Sequence, residues 1–379
     1  MERGDRPLTS DELALFPDRV ERQGEVFEFE GAPLISTVTF YGGDEREAPE
    51  ISLRRRQDDR QQEGGGWEIV SSKPMTLGLN VETVGRATRP APDDDVPDEL
   101  DAFLPPGAVL DDAVEVAEPL PIRPLRRRSG QLVKPEIIFP PDDRQIYKPS
   151  SKAGSAHSLM GKLEVWLDPS APSPSYAGTG ALIAKNAILT AAHVIPWFQV
   201  ANSLPFKARF IPAYFDGASV FTRADGSHPA SWCTGAWGYP GYSEGDDMGV
   251  WRLATPLGQE WGYFGYKTYN SDWEDLPVWR INGYPGDLAN GQRPARDFNF
   301  PITNDEDDGA GVELEYQADT NSGMSGSPVW GWFDKNGVPK PYVVGTHKGS
   351  EDNPFEEAHN IAAGGPALSS IIKWARDNW

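Results

Sequence analysis

From about Ile137 onward the chain is written in short apolar or alternating runs broken by Gly, Pro and Asn, and this texture constrains its fold more than any other feature. The runs include LEVWL, GALIAKNAILTAA, FKARFIPAYF, MGVWRLA, PVWRINGY, VELEYQA, SPVWGWF and PYVVGTH. Many short strands at close spacing predict an all-β sandwich or barrel rather than an alternating βαβ sheet. Helical spacing occurs in the last segment, PALSSIIKWARDNW (366–379), where Leu368, Ile371, Ile372 and Trp374 or Ala375 fall on roughly one side. One terminal helix is expected to close the β region.

Up to residue 136 the sequence is irregular. Short β-like runs such as EVFEFE (25–30) and LISTVTFY (34–41) are separated by breaker-rich stretches. RRRQDDRQQEGGG (54–66) and RPAPDDDVPDELDAFLPPGAV (89–109) have no periodicity, so they are expected to be mobile or loosely packed. After Ile122 comes RPLRRRSGQLVKPE, a basic, Pro-flanked stretch that reads as an exposed hinge or processing linker. A chain of 379 residues allows two or three folding units of about 100–200 residues each.

A net charge of −22 argues against a nucleic-acid-coating surface, because phosphate would be repelled except at local basic clusters. The longest apolar run falls short of the roughly 18 residues that a membrane helix needs. The start MERGDRPLTSDELALF has no basic head followed by an apolar stretch, so neither a membrane anchor nor a secretory signal is expected. The single cysteine, Cys233, removes an internal disulfide framework and a thiolate zinc cluster. No metal or cofactor is expected, and the acidic runs Asp93-Asp94-Asp95 and Asp305-Glu306-Asp307-Asp308 read as solvated turns because neither completes a calcium loop.

Three segments carry chemistry: Leu189-Thr190-Ala191-Ala192-His193, Asp246-Asp247-Met248-Gly249-Val250 and Gly323-Met324-Ser325-Gly326-Ser327-Pro328. A serine hydroxyl is a weak nucleophile. Acyl transfer through it needs a base to take its proton, a carboxylate to hold that base in the right tautomer, and donors for the oxyanion. The order His, Asp, Ser is that of the chymotrypsin arrangement, not of subtilisin or the α/β-hydrolases. TAAH, DMGV and GMSGSP together resemble trypsin-like serine proteases, and most closely the glutamyl endopeptidases of the staphylococcal V8 type, over about residues 137–379.

The resemblance implies two six-stranded antiparallel β-barrels, at about 137–260 and 261–365, with a helix at 366–379, preceded by an irregular, partly disordered pro-region at 1–136. It implies Ser325 as nucleophile, His193 as general base and acid, and Asp247 as orienting carboxylate, with Asp246 the rival. Gly323 and Ser325 would supply oxyanion N–H groups. Ser322 and Ser327 read as structural, and His157, His228 and His359 have no motif around them. Thr320 and His347 resemble the residues that bind the substrate's glutamate carboxylate in that family, whereas Lys348 reads as solvated.

The family also uses the free amino terminus of the mature enzyme. Ile137-Ile138-Phe139-Pro140-Pro141-Asp142-Asp143-Arg144 resembles the mature start, and cleavage after Glu136 would fit the implied specificity and create that cation. Residues 1–136 are therefore expected to act in cis as a pro-segment removed by self-cleavage, with trimming after Arg126, Arg127 or Arg128 as the rival route. Trypsin-type zymogens pair the new terminus with an aspartate before the serine, but Met324 stands there, so the new amine would be free to meet substrate. The expected partners are protein or peptide substrates. The resemblance suggests an extracellular enzyme, although no signal is expected in this chain. The competing expectations are a trypsin-like protease of other or broad specificity, and an inactive binding protein on the same fold.

Overall fold

The computed structural model describes residues 6–16, 39–40, 51–55, 67–71, 77–78, 97–105, 108, 115–117, 136–239, 243–351 and 358–379. The expectations for 25–30, for Asp93-Asp94-Asp95 and for the basic linker after Ile122 up to residue 135 lie outside the described residues, as do most of those for 34–41 and 54–66.

Six antiparallel strands close into a barrel. Around it run Ala187–Thr190, Gly249–Leu253, Ser231–Gly238, Lys207–Pro212, Met160–Trp166 and Tyr176–Ala184. The alternation in Lys207-Ala208-Arg209-Phe210 explains the closure. Ala208 and Phe210 point inward with Leu163, Leu182, Ile188 and Trp251, while Arg209 binds Glu164 of the neighbouring strand at 2.6 Å on the outside. Cys233 is a buried free thiol inside this barrel, where it packs as a small apolar side chain.

Apart from three two-stranded sheets, the remaining described strands form an eleven-stranded sheet rather than a second closed six-stranded barrel. Its spine is the hairpin of Pro328–Lys335 with Val338–Glu351, turned at Asn336-Gly337 with both residues at positive φ (55° and 83°). Asn-Gly is the pair that a tight two-residue hairpin favours, because both central positions are left-handed. Two of its strands come from upstream of Ile137. Glu99–Leu100 pairs with Gly265–Lys267, and Glu115–Val116 pairs with Gln145–Lys148. Gly265–Lys267 in turn runs parallel to the spine strand, so the sheet is not purely antiparallel.

Two further expectations are corrected. Within 89–109, residues 97–105 and 108 are packed rather than loose, with Ala102, Leu104 and Ala108 buried. The acidic run 305–308 lies in the strand Ile302–Asp308, paired with Gly311–Tyr316, and not in a turn.

The terminal helix spans Gly365–Asn378 and buries Leu368, Ile371, Ile372 and Ala375, the face expected from its spacing. Trp374 lies at the margin and stacks on Trp237, with ring centroids 4.7 Å apart. Among the described residues no helix is long and apolar enough to cross a membrane.

Candidate active site

Strand pairing delivers His193 and Asp247 to one place. Ala187–Thr190 and Gly249–Leu253 are antiparallel neighbours whose last pair is Thr190 with Gly249. His193 follows the first strand in a 3₁₀ turn, Ala192–Val194, and Asp247 comes just before the second. The Asp247 carboxylate accepts the His193 backbone N–H at Oδ1 (2.8 Å) and meets His193 Nδ1 at Oδ2 (2.6 Å). Burial of the ring disfavours its charged form, but the Asp247 hydrogen bond and negative charge outweigh that and raise the imidazole above its ordinary value. Asp246, the rival, faces elsewhere and accepts the Ser243 N–H at 3.1 Å.

The serine stands on the loop 317–327, and two glycines in left-handed conformations shape it: Gly323 at φ 103° and Gly326 at φ 88°. A Cβ at Gly326 would lie 2.2 Å from Thr179 O, 2.2 Å from Thr190 Oγ1 and 3.0 Å from Ala191 N. The missing side chain therefore lets the loop press against the barrel two residues from His193. Thr179 fastens it, donating its N–H to Ser325 O and its hydroxyl to Gly323 O, both at 2.9 Å. At Gly178 an added Cβ would touch Ser325 O and Val194 Cγ1 at 3.1 Å each, so the serine backbone and the histidine turn flank the same point. The N–H groups of Met324, Gly326 and Ser327 donate to backbone carbonyls, whereas among the described residues those of Gly323 and Ser325 do not. These are the two groups expected to serve the oxyanion. Met324 itself is buried in the apolar core of the sheet.

Two buried polar side chains lie on the serine loop and on the sheet strand bonded to it. Thr320 and His347 are fully buried, and neither Thr320 Oγ1 nor His347 Nε2 has a hydrogen-bond partner among the described residues. Leaving such groups unmatched costs about 1–3 kcal/mol each, which suits a site made for a ligand better than a core. The carboxyl of Glu136 lies between Ser325 and His347. Ser325 Oγ donates to Glu136 Oε1 at 3.2 Å, and the same oxygen is 3.9 Å from His347 Nε2. Burial pushes Glu136 up to about 8, against a smaller opposing pull from the serine hydrogen bond and His193. Burial likewise drives His347 down to about 3. Both groups are therefore neutral at pH 7, and among the described residues no lysine or arginine pairs with the carboxyl.

The following residue is held just as closely. Ile137 O accepts the Thr320 N–H at 3.2 Å, and Asn360 accepts the Ile137 N–H at 3.1 Å while donating to its carbonyl at 2.8 Å. Arg144 fixes the rest of the segment through Asp142 (2.8 Å) and Asp287 (2.6 Å).

Two of these residues escape sequence reasoning. Asn360 lies in the run HNIAAG, and Tyr316, which contacts His347 Nδ1 at 2.7 Å, ends VELEYQA. They are register partners on neighbouring strands, a relation no motif carries. The one local signal is a polar side chain at an inward position of an otherwise apolar strand. Lys348 is not solvated as expected but paired with Glu244.

Two clusters elsewhere bring possible metal ligands within 4.8 Å of one another: Glu313, Glu315 and His359, and Asp143, Asp297 and Asp319. In the first, His359 Nδ1 lies 3.5 Å from Glu315 Oε2, and in the second Asp319 accepts the Phe139 and Asp143 N–H groups. Internal partners thus already engage both clusters.

A closed antiparallel barrel carrying a histidine–aspartate pair, pressed against a glycine-shaped serine loop from a neighbouring sheet, defines the chymotrypsin-fold serine proteases and their homologues. The chain is related, within that class, to glutamyl endopeptidase. No family model matches it. A glutamyl endopeptidase of Bacillus licheniformis is 32% identical over 157 residues, which is 40% of this chain and 44% of that relative. The chain thus spans less than half the length of the relative it matches. A solved Glu endopeptidase in complex with MPD is similar over 64% of this chain and 100% of its own, with 21% identity and a TM-score of 0.48. The protease Anisep from Arthrobacter nicotinovorans is similar over 62% of this chain and 100% of its own, with 14% identity and a TM-score of 0.43.

Proposed function

We propose that the chain is a serine endopeptidase that cleaves after glutamate, and less readily after aspartate, and that it is made as a precursor cut between Glu136 and Ile137. The observation that carries this reading is the glutamate carboxyl seated between Ser325 Oγ and His347 Nε2. The relation to a glutamyl endopeptidase supports it independently.

Ser325 attacks the substrate carbonyl while His193 takes its proton, and Asp247 holds the ring and stabilises the imidazolium. The Gly323 and Ser325 N–H groups receive the charge that develops on the carbonyl oxygen. His193 then returns the proton to the leaving amine, giving an acyl-enzyme that water hydrolyses by the same route.

Thr320 and His347 receive the side-chain carboxylate of the residue before the cut. Two neutral donors alone leave a buried carboxylate poorly compensated, as the raised value of Glu136 illustrates. Cutting after Glu136 frees the Ile137 amine, whose N–H already meets Asn360 while the residue's carbonyl accepts from Thr320 N–H, and supplies the missing positive charge. The intact chain is accordingly a poor enzyme, because the Glu136 side chain caps the nucleophile.

Peptides differing solely in the residue before the cut, given to the processed enzyme, should show glutamate preferred over glutamine by roughly 100-fold or more in kcat/KM, since a desolvated charge is at stake. Equal rates would remove the specificity. Labelling of Ser325 by a fluorophosphonate separates an active hydrolase from an inert relative. In the intact chain, Glu136→Gln should abolish self-processing at Ile137, and normal processing would overturn the activation route.

A further inference from the structure

The geometry points to an N-terminal region that stays bound to the protease body after the chain is cut at Glu136, so that the processed enzyme is a two-chain complex. The cut proposed above supplies the occasion; the attachment itself is testable without it.

Three upstream stretches are built into the body. Glu99–Leu100 adds a strand to Gly265–Lys267, and the main chain continues the pairing through Phe103 and Tyr263, whose N–H and C=O groups bond reciprocally at 3.1 and 2.9 Å. Glu99 sits at the centre of an ionic cluster with Lys267 and Lys335, and Tyr342 donates to Asp101 at 3.0 Å. Arg376 of the terminal helix donates to Asp101 O at 2.9 Å. Glu115–Val116 pairs with Gln145–Lys148. The first segment docks on the same sheet, where Leu8 N–H bonds to Trp332 O of the hairpin at 2.7 Å and Ser10 donates to Asn299 of the strand Ala295–Phe300 at 2.8 Å. Leu8 and Leu13 join Leu104 and Ala108 in the same buried apolar cluster as Trp330 and Trp332 of the body.

The body is shaped to receive these stretches. An added Cβ at Gly154 would lie 2.3 Å from Ala108 Cβ; at Gly262, 3.0 Å from Phe103 O; and at Gly265, 2.8 Å from Ala102 N. Side chains are missing from the part after the cut at places where the part before it lies. A segment destined to leave would expose an unpaired edge at Gly265–Lys267 and the apolar surface beside it, which is a hazard for aggregation. Strand addition combined with buried apolar contacts is instead a durable mode of attachment. Cutting after Glu136 breaks one peptide bond and none of these contacts.

The test uses the full chain carrying Ser325→Ala, which removes self-cleavage, with a recognition sequence for an unrelated site-specific protease inserted after Gly130. After that protease has cut, both fragments should co-elute from a sizing column at the mass of the intact chain and separate in denaturant. Elution of a soluble, folded downstream fragment, residues 131–379, without the upstream fragment would overturn the inference. In the same cut protein, Leu8→Asp combined with Glu99→Lys should speed release of the upstream fragment at least tenfold. An unchanged rate would equally overturn it, because the named contacts would then not hold the fragment. Neither result depends on the protease being active or on its preference for glutamate.

Discussion

Asp247 is 2% exposed, yet both of its carboxylate oxygens are engaged by His193, so burial fixes the ring instead of stranding a charge. Asp247→Asn keeps the shape but removes the acceptor that selects the tautomer, and kcat should fall by about 10³–10⁴-fold with KM little changed. His193 works as a base when neutral and its value is raised above 6.5, so kcat/KM should climb with pH through a limb lying above 6.5. A limb well below that value would mean that some other group limits the rate. Tyr316 acts one bond further out. Its hydroxyl meets His347 Nδ1 at 2.7 Å, and the same nitrogen lies 3.1 Å from Ile361 O, so these two contacts orient the ring. Tyr316→Phe removes about 1 kcal/mol of orientation, so KM for glutamyl peptides should rise roughly fivefold while glutamine peptides are hardly affected. An equal change for both peptides would reduce Tyr316 to a packing residue.

At the scale of elements, the loop 317–327 is held from two sides, by Thr179 of the barrel and by His347 of the sheet, whose N–H bonds Ser327 O and whose carbonyl accepts the Gly326 N–H, both at 2.8 Å. Gly326→Ala adds a Cβ where three barrel atoms stand and forces a left-handed backbone on alanine, a strain of about 1–3 kcal/mol before any clash is counted. Thermal unfolding should shift down by several degrees and fluorophosphonate labelling should be lost, whereas Gly337→Ala, at a positive φ with nothing within 4 Å, should cost stability alone. This division also explains what the sequence made legible. His193 and Asp247 stand beside the ends of paired strands, and Ser325 sits in a glycine pattern, so local segments carried them. The roles of Tyr316 and Asn360 arise from a cross-strand register, Tyr316 opposite Asn360, which appears once the sheet is assembled. The packing of residues 97–105 and 108 is hidden from the sequence for a related reason. Their Pro- and Asp-rich composition describes the segment alone, and its order comes from an edge strand supplied by residues more than a hundred and fifty positions away.

For the whole molecule, the intact chain closes its own site with a carboxyl that holds a proton up to about 8, against an ordinary value of 4.5. Between those values the docked side chain binds more protons than the free one, so docking is strongest at low pH and weakens as pH rises, by up to about 1.4 kcal/mol per unit, until about pH 8. The groups acting on Glu136 are the neutral His347, the imidazole of His193, and the more distant Asp287 and Arg144. His193 also becomes a better base with rising pH, so a bare increase in reactivity would not identify the carboxyl. Glu136→Gln separates the two effects, because glutamine fills the same space, stays neutral and leaves the His193 contribution in place. Initial rates of fluorophosphonate labelling on the intact chain, taken from about pH 6 to about pH 9, should rise more steeply for the glutamate form than for the glutamine form, with the ratio growing toward pH 8. Parallel profiles would mean that the Glu136 side chain does not gate Ser325.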